Sequence, residues 1–149
     1  MKINLKINGI KKTLEFEPHE YLLDVLRQNG YLSVKRGCNT GSCGLCTVLM
    51  DGAPVLSCAL LAAKAEDSEI TTIEGAQQEA KEAASFLVAE GVDQCGFCSP
   101  GFLLTILAMK KELTKPTDEE IKHYLAGNLC RCTGYVGQLR AIKKYLEVR

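Results

Sequence analysis

Apolar and polar positions alternate at the start of the chain. Ile3, Leu5 and Ile7 are separated by polar residues, and Ile10, Leu14 and Phe16 follow after a break. A period of two marks a strand with one buried face. Asn8-Gly9 lies between the two runs and supplies the positive φ angles of a two-residue turn, so a β-hairpin is predicted. Its return strand has an imperfect period near Lys11-Lys12. Residues 20–29, EYLLDVLRQN, shift to a helical period, with Gly30 placed as a C-cap. Residues 46–58, CTVLMDGAPVLSC, predict a second hairpin around Asp51-Gly52. EITTI at 69–73 is rich in β-branched residues and predicts a further strand. The N-terminal half therefore reads as a small mixed sheet with one helix.

From about Ala76 onward the pattern is helical. EAKEAASFLVAE predicts one helix. Ser99-Pro100 reads as an N-cap and first-turn proline opening a second, with Phe102, Leu103, Ile106 and Leu107 on its buried side. Thr117 and Glu120 have the spacing of a capping box for a third. Gly134 to Glu147 predicts a fourth, carrying Val136, Leu139, Ile142 and Leu146. Four helices with short links suggest a bundle. The expected organisation is α+β, with one domain over 1–76, a second over 77–149 and a join near EGAQQEA at 74–80. Domains this small usually need staples.

Composition adds little until the cysteines are counted. The 149 residues are 46% hydrophobic and 24% charged, as in an ordinary globular protein. Formal net charge is zero and the pI is about 6.7, with no basic stripe, which argues against nucleic acid as a partner. No apolar run is long enough to span a bilayer, and MKINLKINGIKK lacks the apolar core of a secretory signal. A cytoplasmic location is expected on that basis. Eight cysteines are the outlying feature: Cys38, Cys43, Cys46, Cys58, Cys95, Cys98, Cys130 and Cys132. A cytosolic chain keeps thiols reduced, and pairs as tight as Cys95/Cys98 and Cys130/Cys132 suit metal ligation better than disulfides.

The first four are spaced C-x4-C-x2-C, followed by eleven residues and Cys58. The opening triplet has the plant-type ferredoxin spacing for a 2Fe-2S cluster. A hairpin turn at Asp51-Gly52 pairs Met50 with Ala53 and Cys46 with Ser57, which brings Cys58 beside Cys46. Gly37, Gly41 and Gly44 permit the backbone angles of a nest of inward N–H groups around a negatively charged cluster. Lys35 and Arg36 precede the first ligand, either offsetting charge or simply solvated. A structural zinc site also takes four cysteines, but it does not need a glycine at each bend. A Rieske centre needs two histidines, and His19 and His123 lie outside these motifs as ordinary surface residues.

In the second set, Cys95-Gly-Phe-Cys98 precedes a helix start, where thiolates are favoured by exposed N–H groups. Cys130-Arg-Cys132 lies between the third and fourth predicted helices. Two pairs at neighbouring ends of a bundle are placed to converge on one cluster. Spacing alone leaves zinc open here.

The combined motifs carry a resemblance. GCNTGSCGLCTVLMDG at 37–52, VLSC at 55–58, TIEG at 72–75, QCGFCSPG at 94–101 and NLCRCTGY at 128–135 resemble the small iron–sulfur subunit of the molybdenum hydroxylases. These include enzymes of the xanthine dehydrogenase, aldehyde oxidoreductase and carbon monoxide dehydrogenase type. The resemblance spans nearly the whole chain, although Leu45 stands where many members have a smaller residue. It implies a β-grasp, plant-type ferredoxin-like domain with Cys38, Cys43, Cys46 and Cys58 as ligands of one 2Fe-2S cluster. It also implies a four-helix-bundle domain with Cys95, Cys98, Cys130 and Cys132 holding a second. It places Gln94 and Cys132 near the molybdopterin of a large partner subunit, and the ferredoxin-like cluster toward FAD on a medium subunit. Electrons would pass from molybdenum through the bundle cluster and then the ferredoxin-like cluster to FAD. The expected assembly is a hetero-oligomer, a dimer of heterotrimers being one form, that oxidises an N-heterocycle, an aldehyde or carbon monoxide. No catalytic residue is expected on this chain. A freestanding ferredoxin-like carrier and a zinc-stabilised interaction module are the alternatives.

Overall fold

In the computed structural model residues 1–148 are described; Arg149, the end of the expected helical domain, lies outside them. The first hairpin joins β1 (Lys2–Ile7) and β2 (Ile10–Glu15), with Ile7 opposite Ile10. Asn8 and Gly9 have φ of 53° and 79°, as a two-residue turn with two positive angles requires. Ile3, Leu5, Ile7 and Leu14 face inward, whereas Ile10 is 62% exposed, which accounts for the broken period of the return strand. Helix α1 (Leu22–Gln28) packs Leu22, Leu23, Val25 and Leu26 onto this face. Its end is a Schellman motif: Gly30, at φ 90°, donates to the Arg27 carbonyl, and the Tyr31 N–H reaches back to Leu26.

The second hairpin pairs β3 (Thr47–Met50) with β4 (Ala53–Leu56), and Met50 opposes Ala53. Strand β5 (Glu69–Thr71) is shorter than its sequence run, because Ile73–Gly75 turns into a 3-10 segment. It lies parallel to β1 and antiparallel to β3, giving one five-stranded mixed sheet of order β2-β1-β5-β3-β4. A mixed sheet wrapped on one helix is the β-grasp arrangement.

Four helices follow: α2 (Gln77–Ala89), α3 (Ser99–Glu112), α4 (Asp118–Tyr124) and α5 (Val136–Tyr145). All residues of α3 from Gly101 to Met109 are buried. A helix apolar all round must be covered all round, and α3 is packed by α2 and α4 and also by β3 of the sheet. Leu49 of β3 belongs to the bundle core rather than to the core under α1. No helix among the described residues is long and apolar enough to cross a membrane.

Two cap details bear on the expectations. Ser99 is not the N-cap of α3. Cys98 holds that position, so the helix begins directly on a candidate ligand, with proline in its first turn. At α4 the capping box forms as expected. Thr117 Oγ1 accepts the Glu120 N–H at 3.3 Å, and the Glu120 carboxylate accepts the Thr117 N–H at 2.7 Å. Thr117→Ala is expected to lower stability by about 1 kcal/mol. Urea unfolding followed by circular dichroism checks this, and an unchanged midpoint would contradict it.

Candidate iron–sulfur sites

The loop between α1 and β3 carries Cys38, Cys43 and Cys46. Arg27 of α1 braces its first part by donating to the carbonyls of Leu32 and Val34, at 3.1 and 2.8 Å. Gly41 and Gly44 turn the loop at φ of 66° and 70°, as the nest expectation requires. Gly37 serves differently. Its φ is not positive, but a Cβ there would lie 2.7 Å from Leu45 Cδ2 and 3.3 Å from Cys43 Sγ, so it gives space rather than an angle. Strand β4 ends at Leu56, one step short of the Cys46–Ser57 pairing expected from the turn. The Ser57 hydroxyl and N–H still donate to the Cys46 carbonyl, at 2.7 and 3.4 Å, and Cys58 sits in the 3-10 turn that follows.

Within this set the strongest thiol–thiol influences are of Cys43 on Cys38 and of Cys46 on Cys58, and the other members also act on Cys43 and Cys58. The backbone N–H groups of Thr40 and Ser42, aided by Cys43, hold the Cys38 thiol down at about 5. Burial pushes the Cys58 thiol up to about 12, and the neighbouring Cys46 adds to the rise. Burial likewise raises Cys43.

The second set repeats the arrangement from different elements. Cys98 pairs with Cys130, and Cys95 with Cys132. They line a cavity of about 120 Å³ together with Gln94, Thr133 and Gln138. Burial pushes Cys98 up to about 11, with Cys130 adding to it, while the contact with Cys95 raises Cys132. Cys130 goes the other way. Burial raises its thiol, but the Thr133 hydroxyl and the N–H groups of Cys132 and Thr133 outweigh that and hold it below the usual thiol value. The Thr133 hydroxyl is 3.3 Å from Cys130 Sγ and 2.9 Å from Gln138 Oε1, and its single proton serves one of them at a time. Tyr135 is held at φ 70°, and its hydroxyl accepts the Cys130 N–H at 3.0 Å. Phe97 donates its N–H to Cys95 Sγ at 3.5 Å.

The two sets lie across one seam. The Leu129 N–H, one residue before Cys130, donates to the Cys43 carbonyl at 2.9 Å. Gly44 is pressed against the loop before it: a Cβ on Gly44 would collide with the Gly127 carbonyl and lie 2.7 Å from Asn128 Nδ2. A Cβ on Gly101, in the first turn of α3, would strike the Gly44 carbonyl. Asn128 is buried in this contact.

The sequence signal for the seam residues was confined to motif membership. Tyr135, Thr133 and Asn128 stand in NLCRCTGY without any spacing that assigns them a partner, and Gln138 has no such signal. His19 and His123 are exposed, as expected. Arg36 is paired with Asp24 at 2.6 Å, whereas Lys35 reaches across to the second set and donates to the Phe97 carbonyl at 3.2 Å.

This donor chemistry suits 2Fe-2S clusters. Each iron of such a cluster takes two thiolates, and each set offers two thiol pairs edged by N–H donors. Among the described residues no three Cys, His, Asp or Glu side chains close around a single point.

Comparison with known proteins gives the same reading. Residues 5–84 match the 2Fe-2S iron-sulfur cluster binding domain, and residues 72–143 match the [2Fe-2S] binding domain. The chain is 45% identical over 149 residues to the nicotinate dehydrogenase small FeS subunit of Eubacterium barkeri, covering 97% of this chain and 94% of that one. It is 47% identical over 137 residues to the xanthine dehydrogenase iron-sulfur-binding subunit of Escherichia coli O157:H7, covering 89% and 86%. Among solved structures it is similar to a chain of quinoline 2-oxidoreductase from Pseudomonas putida 86. There the TM-score is 0.90 and the identity 39%, over 99% of this chain and 94% of that one. With a 2Fe-2S domain model matched in each half and relatives aligned over nearly its full length, the chain belongs to the small iron–sulfur subunits of the molybdenum hydroxylases.

Proposed function

We propose that this chain relays electrons from a molybdopterin site on a large partner subunit, through its bundle cluster and then its ferredoxin-like cluster, to FAD on a medium subunit. The observation that carries the reading is the grouping of the cysteines into two separate sets on either side of one seam, one in the loop before β3 and the turn after β4, the other around a single cavity, bridged by the Leu129 N–H and the Cys43 carbonyl. On this reading Cys38, Cys43, Cys46 and Cys58 hold one cluster. Cys95, Cys98, Cys130 and Cys132 hold the other. Residues 1–76 and 77–149 form the two domains, in keeping with a sheet that ends at Thr71 and helices that begin at Gln77.

Bound, each 2Fe-2S cluster supplies a one-electron couple. The chain's own residues do the rest. N–H groups of Thr40, Ser42 and Cys43 lower the Cys38 thiol, and those of Cys132 and Thr133, with the Thr133 hydroxyl 3.3 Å from Cys130 Sγ, lower that of Cys130, so both sites favour negative sulfur. Thiols raised by burial, Cys43, Cys58 and Cys98, would have to give up their protons to serve as thiolate ligands.

The end of the chain that faces molybdopterin is assigned to Gln94 and Cys132. Both are exposed, at the rim of the cavity of the second set. Phe97, Leu129, Tyr135 and Val136, which stand in or next to the loops that carry the second set, are also exposed, as suits a face covered by a large partner. Relatives are named as subunits of nicotinate and xanthine dehydrogenases, and one at lower identity as a subunit of an aldehyde oxidoreductase; an N-heterocycle is the substrate class we assign to the assembly. Its copy number is taken as that of a hetero-oligomer containing all three subunits.

An iron and acid-labile sulfide count on anaerobically purified protein, with EPR after dithionite reduction, tests the reading. Iron and sulfide in equal amounts with two distinguishable 2Fe-2S signals are expected. Zinc without sulfide would overturn it. A chain that carries both clusters but never co-purifies with molybdenum- or flavin-containing subunits would point to a freestanding carrier.

A further inference from the structure

Two cations precede Cys38, and they are used differently. Arg36 is neutralised by Asp24 on α1. Lys35 has no carboxylate within ion-pairing distance among the described residues. Its backbone N–H donates to the Leu45 carbonyl at 3.2 Å, inside the Cys43–Cys46 turn of the first set. Its ammonium donates to the Phe97 carbonyl at 3.2 Å, inside the Cys95–Cys98 turn of the second set. The same ammonium stands 4.7 Å from the centre of the Phe97 ring. One residue is thus anchored in one ligand loop by its backbone and in the other by its charge. A carbonyl dipole and a ring face fix the ammonium in place but do not neutralise it. The negative charge it can answer is that of the thiolates and cluster on either side of Phe97.

We propose that Lys35 is a positioning residue that holds a fixed positive charge at the bundle cluster and raises its reduction potential relative to that of the ferredoxin-like cluster. The inference rests on the reading that both cysteine sets carry 2Fe-2S clusters. Reduction adds one electron, converts one ferric ion to ferrous and increases the negative charge of the site. A nearby cation therefore favours the reduced form. In the test the electron comes from dithionite, which is oxidised to sulfite, and no proton transfer is required. Phe97 is half exposed, so solvent and salt screen the interaction without abolishing it.

The test is a redox titration of the full chain with its clusters, followed by EPR, for the wild type, Lys35→Met and Lys35→Arg, with Lys35→Gln as a second neutral variant. The signal that disappears in Cys43→Ser marks the ferredoxin-like cluster. In Lys35→Met the bundle cluster is expected to shift about tenfold toward its oxidised form, a fall of about 59 mV for one electron. The other cluster should move less, and iron and sulfide content should be unchanged. Lys35→Arg should stay close to the wild type, and the Lys35→Met shift should shrink as salt is added. An unmoved bundle potential in Lys35→Met, an equal shift in Lys35→Arg, or a shift indifferent to salt would overturn the proposal. Loss of a cluster in both Lys35→Met and Lys35→Gln would make Lys35 a structural tie and overturn it as well. A wild-type chain without iron and sulfide would overturn the two-cluster reading itself, and this inference with it.

Discussion

Cys43→Ser removes the cluster of the ferredoxin-like half and leaves that of the bundle: iron and acid-labile sulfide fall by about half, and one of two EPR signals disappears. Cys43 is 8% exposed and its thiol acts directly on that of Cys38, so the substitution removes a donor from inside the set. A serine hydroxyl is a poorer donor to iron than a thiolate, and it must lose a proton in a site where burial already penalises charge. The bundle set takes its four thiols from the loop before α3 and the loop before α5, neither of which contains Cys43. The one bond that joins the sets at this residue uses the Cys43 backbone carbonyl, which the substitution leaves in place. Loss of both signals would sink the assignment of two independent ligand sets.

Gly44→Ala is the second large effect, and it acts on the backbone. At φ 70° an alanine is strained wherever it sits. Here the added methyl also enters occupied space, against the Gly127 carbonyl, Asn128 Nδ2 at 2.7 Å and Asn128 Cα at 2.9 Å. Left-handed strain and overpacking together are worth about 3 kcal/mol or more. At about 2–4 °C per kcal/mol for a chain of this length, Tm falls by about 10 °C. Gly91→Ala separates the two causes. Gly91 has a φ of 68° but nothing within 4 Å of its added Cβ, so it shows the strain alone. Calorimetry of the two variants measures the difference. Equal losses would mean that the seam yields freely and that its close packing contributes nothing.

What could be read in the sequence was local. Asn8-Gly9 and Asp51-Gly52 specify their turns by backbone angle, and a turn fixes the register of the strands it joins, so both hairpins and the approach of Cys46 to Cys58 followed. The Thr117–Glu120 box is three residues long and formed as written. The cysteine spacing carried the chemistry because ligands close in sequence must share a loop. The departures lie where distant parts decide. Ser99 lost its cap position because Cys98 already adopts helical angles at the mouth of the second cavity. Gly37 is a glycine for the sake of Leu45 and Cys43, which no turn rule reports. Lys35 and Phe97 are far apart in the chain and meet only after both halves have folded. The burial of Gly101 through Met109 on every side likewise depends on β3 lying against a helix of the other half.

The seam between Gly44 and the Gly127–Asn128 loop also imposes an order in time. Its first side leaves the ribosome well before its second, and at about 5–20 residues per second the interval is roughly four to seventeen seconds. During it the sheet, α1 and the loop bearing Cys38, Cys43 and Cys46 can form, while the strip that Asn128 and Leu129 finally cover still faces solvent. The finished chain offers no such approach: Gly44 and Cys43 are buried, and the Cys43 carbonyl is held by Leu129. The nascent chain therefore has a more open first site than the mature one, and it closes when residues near the end of the chain arrive.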